Sequence, residues 1–142
     1  MINIVDPYIY ENTNLLKNKL GIRDKCKLDM AENDISSSKL IDLIAQKPEK
    51  TWNVDFIKYI HKHLFGDVYN WAGELRTINI IKNERVLSGL SVDYTNYHSI
   101  KKELNKTIKE LRQVNFNSYN LEIKAKVFSE FLAQIWKIHP FR

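Results

Sequence analysis

His139 is the residue of this sequence best placed for proton chemistry. It stands in "AQIWKIHPFR", where a long apolar stretch runs into a histidine, a proline and a phenylalanine. Imidazoles titrate near neutrality, so a histidine can take a proton from a hydroxyl at physiological pH. A plain structural account also fits: a helix dipole favours a cation at its C-terminus, and proline commonly follows a helix. His61 and His63 lie two apart, on opposite sides of any helix, whereas a helical metal pair needs a spacing of four. No metal site is expected in this chain. The segment "DVYNWAGELR" places Tyr69 and Trp71 ahead of Gly73 and Arg76. There the aromatics would fill core, the glycine would permit a tight turn, and Arg76 would pair an acid.

The elements that must position these residues read as helices. Glycine and proline are scarce, at 4 and 3 of 142 residues, which disfavours a many-turned β architecture. "NTNLLKNKLG" suggests a short helix stopped by Gly21. A longer one is expected over "ENDISSSKLIDLIAQK", with Ile35, Leu40, Leu43 and Ile44 inward and Pro48 past its end. In "NVDFIKYIHKHLFG", Asn53 would cap a helix striped by Val54, Ile57, Ile60 (or His61) and Leu64 and ended by Gly66. "TINII" and "RVL", separated by "KNE", read as a short hairpin. Ile100, Leu104, Ile108 and Leu111 mark a helix between Thr95 and Val114. The last helix, about Leu121 to Ile138, is apolar on more than one face, the pattern of a central helix packed all round. The expectation is an all-α bundle around a buried central helix, with one small β-hairpin, in a single domain over residues 1–142.

Composition narrows the function classes. The net charge is +5, but the cations are mostly lysines interleaved with acids, as in "IKKELNKTIKEL". That is a solvated helix surface, and no nucleic-acid partner is expected. The first residues lack the basic start and apolar run of a signal peptide, and no stretch approaches membrane-spanning length. Cys26 is the single cysteine, so a reducing compartment is the default. No membrane association is expected. A cytoplasmic location is, which leaves delivery into another cell by a secretion system open.

Taken in order, "PYIYENTNLLKNKLGIRD", "IHKHLFGDVYNWAGELR" and "IHPFR" after an apolar helix closely resemble the Fic (filamentation induced by cAMP) domain family. The resemblance runs from Pro7 to Arg142, and the middle block is its most specific part. It implies transfer of AMP from ATP to a Ser, Thr or Tyr hydroxyl of a target protein, with ATP and Mg²⁺ required. By this match His139 opens the catalytic motif His-x-Phe-x-(Asp/Glu)-Gly-Asn-Gly-Arg-x-x-Arg and acts as general base. Phe141 would be buried and anchor the loop, while Tyr69, Trp71, Gly73 and Arg76 belong to the structural motif. The hairpin corresponds to the family's flap, where Ile80, Ile81, Lys82, Val86 and Leu87 would dock a target segment by strand addition. Val86 or Leu87 stands where many members carry phenylalanine.

The sequence reaches Arg142, a variable motif position, before the acid that would hold Mg²⁺, the Gly-Asn-Gly cradle or either arginine. Transfer of this type relies on positioning and electrostatic stabilisation, so these residues alone are expected to be inactive. They would bind nucleotide weakly or not at all, and a fragment of an intact enzyme is the favoured account. An inactive Fic-like binding module, or a Fic enzyme moving another phosphate-linked group, is the alternative. The family's inhibitory pattern, Ser/Thr-x-x-x-Glu-(Gly/Asn), is not met: "SYNLEI" has Ser118 and Glu122 but Ile123 at the last position. Inhibition would then come from an antitoxin-like partner or a further C-terminal segment.

Overall fold

The computed structural model describes residues 6–49, 51–81 and 92–142. The chain divides into two compact units. One holds the residues up to Thr51 with Asp55–Glu74, the other Trp52–Val54 with Leu75–Arg142.

The first unit opens on turns where a short helix was expected. Tyr10 N–H donates to the Leu15 carbonyl at 2.9 Å and Lys17 N–H to that of Tyr8 at 2.8 Å, forming an antiparallel bridge between Ile9 and Leu16. Asn12 turns the chain at φ 59°. The Thr13 hydroxyl bonds Tyr10 and Leu15, and the Asn18 carboxamide ties Leu16 to Ile22. Short polar side chains that bond nearby backbone in this way compete with helix formation.

Helix α1, Lys25–Gln46, begins well before its expected start near Glu32 because Asp24 caps it, accepting from Lys27 N–H at 2.8 Å. Its buried residues are Leu28 and Leu43, whereas Leu40 and Ile44, expected inward, are 47% and 65% exposed. Ile35 packs as expected, against a core of Leu15, Leu28, Val68, Tyr69 and Ala72. Helix α2, Val54–Phe65, follows Asn53 directly and ends at Gly66. A Cβ on Gly66 would come within 2.5 Å of the Lys62 carbonyl oxygen, so a side chain there would force the backbone to shift.

In the second unit, α3 spans Ile100–Arg112 and α4 spans Leu121–Ile138. The spacing of Ile100, Leu104, Ile108 and Leu111 predicted their burial, and all four are buried. Helix α4 packs alongside α3. The start of α4 is fixed by Asn120, whose side chain accepts from Ile123 N–H at 2.9 Å. Of the apolar faces of α4, one stripe, Phe131 and Ile138, is buried. The Trp52 ring meets Phe128 and Phe131 edge-on at 6.4 and 6.1 Å. Leu121, Leu132 and Trp136 are 81%, 51% and 49% exposed, so within these residues α4 is not covered all round. Ile80 is buried and Ile81 exposed, and neither lies in a strand. The rest of the expected hairpin, with Lys82, Val86 and Leu87, lies outside the described residues. No helix among the described residues is long and apolar enough to cross a membrane.

Candidate active site

His139 caps α4. Its N–H completes the last helical bond, to the Ile135 carbonyl at 2.9 Å, and its backbone then turns left-handed, with φ 46° and ψ 67°. The chain leaves the helix there and Pro140 cannot continue it. The His139 ring lies against Tyr94, centroids 4.6 Å apart, and Tyr94 in turn meets Trp136 edge-on at 5.8 Å. Tyr94 is buried, so the imidazole rests on a fixed aromatic floor. His139 itself is half-buried. Phe141, expected to be buried, is half-buried as well.

The end of α4 is held by Arg76. Its guanidinium donates to the carbonyl oxygens of His139, Ile78, Thr95 and Ile138. These carbonyls include the ones a helix C-terminus leaves without intrahelical donors. A cation buried among them is stabilised by the negative end of the helix dipole. Thr95 N–H adds a bond to the Lys137 carbonyl at 3.2 Å, tying a second segment to the helix end.

Beside this helix end lies a cavity of about 650 Å³, lined by Asn79, Ile80, Ile81, Tyr94, Asn96 and Lys137 among others. The described part of the expected flap is therefore one wall of a cavity whose other wall includes Tyr94, the residue on which His139 packs. Asn79 is held in turn, its side-chain oxygen accepting from Tyr97 N–H at 3.0 Å. Tyr94 and Thr95 escaped the sequence reading. They sit in "SVDYTNYHSI", before the periodic part of α3, where neither spacing nor capping marks them as neighbours of a histidine more than forty residues on.

The remaining motif residues are organised within the first unit. Tyr69 is buried, stacks on Trp71 with centroids 4.5 Å apart, and donates its hydroxyl to Glu32. Burial, and then the bond to that carboxylate, push the Tyr69 phenol well above its ordinary range. Gly73 has φ +82°, and a Cβ on it would approach Lys62 Cβ to 2.7 Å and the Lys58 carbonyl oxygen to 2.9 Å. The turn needs glycine on both counts. His61 Nδ1 accepts from Gly73 N–H at 2.9 Å, and burial lowers its pKa from 6.5 to about 4. His63 has a different partner, the Lys39 carbonyl, 3.1 Å from its Nε2. Among the described residues no group of three or more His, Cys, Asp or Glu converges as a metal site would require.

The Fic/DOC family pattern matches residues 51–142. Among curated relatives, the protein adenylyltransferase VbhT of Bartonella schoenbuchensis is 28% identical over 140 residues, covering 96% of this chain and 27% of its own. The probable protein adenylyltransferase y4lH of Sinorhizobium fredii is 35% identical over 143 residues, 98% of this chain and 68% of its own. The probable protein adenylyltransferase Fic of Escherichia coli is 25% identical, over 96% of this chain and 64% of its own. The chain thus spans from about a quarter to about two thirds of the relatives it matches. Among solved structures, BepC of Bartonella tribocorum with bound AMPPNP superposes with a TM-score of 0.79 at 25% identity, over 95% of this chain and 69% of that one. The N-terminal Fic domain of a VirB-translocated effector from Bartonella sp. AR 15-3 gives 0.79 at 23% identity, over 95% of this chain and 64% of that one. Most of the sequence matches the family pattern, a relative spanned over most of its length is 35% identical, and the helical fold is shared: the chain belongs to the Fic/DOC family.

Proposed function

We propose that these residues serve a protein adenylyltransferase that moves AMP from ATP to a Ser, Thr or Tyr hydroxyl of a target protein, with His139 as general base. The observation that carries this is the placement of His139, half-buried at the end of α4, seated on Tyr94 beside an open cavity. It falls in the region that matches the Fic/DOC family, in a chain whose relatives are named adenylyltransferases. In the reaction the target oxygen attacks the α-phosphorus, the bond to pyrophosphate breaks, and the hydroxyl proton passes to the imidazole. Phe141 anchors the loop that follows. Ile80 and Ile81, with Lys82, Val86 and Leu87, receive the target segment by backbone pairing.

ATP and Mg²⁺ belong to this reading, and the motif positions that would hold them follow those described above. The acidic, Gly-Asn-Gly and arginine positions of the family motif lie beyond Arg142. A polypeptide of these 142 residues alone would hold MgATP weakly and transfer nothing at a useful rate. An antitoxin-like partner, or a segment further along the protein, would supply inhibition. The second reading is a binding-only Fic-like module, in which the cavity beside residues 79–81 would hold a partner's segment.

The test is mass spectrometry of candidate targets incubated with the complete protein, ATP and Mg²⁺. A Ser, Thr or Tyr carrying one AMP moiety supports the proposal. A phosphate, UMP or phosphocholine adduct obtained with the matching donor would change the transferred group. Binding of a target with no adduct would leave the module reading.

A further inference from the structure

We propose that Arg76 is the positioning residue of His139, fixing where the imidazole points by gripping the backbone on both sides of it. The catalytic consequence rests on the reading of His139 as base; the geometric claim does not.

Arg76 is 2% exposed. Its side chain donates to the Ile138 carbonyl at 3.2 Å and to the His139 carbonyl at 2.8 Å. Its own backbone N–H donates to the Pro140 carbonyl at 2.9 Å. Three successive carbonyls, at 138, 139 and 140, therefore end on one residue. The other side-chain bonds, to Ile78 at 2.6 Å and to Thr95, fasten the arginine itself.

This grip matters because of the conformation it encloses. A left-handed backbone is disfavoured for any residue with a Cβ, and it persists only where the surroundings over-determine it. His139 adopts it at φ 46°. Relaxing that torsion would swing the Cβ and carry the ring off Tyr94. A lysine would keep the charge at the helix end but could not reproduce a planar fork of donors reaching separate carbonyls. A misplacement of about 1 Å in a reacting group can cost about a hundredfold in rate. Arg76 thus acts through His139.

The experiment is NMR on the chain, with all variants carrying L132K at an exposed position to limit association. The readouts are the His139 Cα and Cβ shifts, which report the left-handed torsion, and the cross-peak between the His139 and Tyr94 rings. In R76K, with α3–α4 cross-peaks intact, the left-handed shifts and the ring cross-peak should be lost. A folded R76K that keeps both overturns the proposal. Should R76K fail to fold, R76K/H139G decides, because glycine adopts the left-handed torsion without help. Recovery of folding by H139G supports the proposal, and no recovery means that Arg76 is simply structural. If H139A instead leaves the complete enzyme's activity unchanged, the base assignment falls while the Arg76 geometry stands.

Discussion

His61 and His139 belong to the same amino acid type, yet their surroundings differ. His61 is held neutral by burial, with Nδ1 accepting from Gly73 N–H. Unfolded, its imidazole takes a proton below about 6.5; folded, it stays neutral down to about 4. Within that window the unfolded state binds more protons, so stability falls as pH falls and levels off below about 4. Allowing for partial exposure, the loss is about 1–2 kcal/mol. Thermal melts across this range should show it, and His61→Phe should flatten that part of the profile. The same variant should cost about 1–3 kcal/mol at neutral pH, by leaving Gly73 N–H without its acceptor. An unchanged pH profile in His61→Phe would mean that the proton is taken up elsewhere. His139 is half-exposed and backed by the Tyr94 ring, the setting on which its proposed role as base rests.

At the scale of elements, α3 and α4 were legible because their apolar residues recur at helical spacing, and α4 ends at Ile138 as the sequence predicts. Over "NTNLLKNKLG" there are turns in place of the expected short helix, because leucines at roughly helical spacing hide what Asn12, Thr13 and Asn18 do to the local backbone. The start of α1 was missed because a single cap, Asp24, outweighs the weak periodicity that follows it. For the candidate site, the place of His139 after an apolar helix left a structural account open, and its candidacy as base came from the family resemblance. Tyr94 and the carbonyl partners of Arg76 could not be read from the sequence, since contacts between distant segments leave no periodic trace. The flap carries its own prediction. A docking strand would use backbone donors, so Ile81→Pro should lower target labelling by the complete protein at least about tenfold while ATP binding stays near normal. Parallel labelling and nucleotide-binding assays would check it, and equal loss of both would mean that the segment is only structural.

For the whole molecule, the apolar surface of α4 sets its behaviour in solution. Leu121, Phe128, Leu132 and Trp136 recur at helical spacing and all are exposed, whereas Phe131 and Ile138 beside them are buried. Each large apolar side chain left in water forgoes about 1.5–3 kcal/mol of burial. A polypeptide of these residues should therefore bind an apolar-surface dye and self-associate, and Leu132→Lys should reduce both in dye-binding and sedimentation measurements. Phe131→Lys should instead unfold the second unit. The central claim, that His139 is the base of an adenylyl transfer, is tested most directly by ATP labelled at its α-phosphate. With the complete protein, label should appear on a target protein or on the enzyme itself, and His139→Ala should abolish it while the fold and ATP binding persist. Labelling by His139→Ala at the wild-type rate would contradict the account.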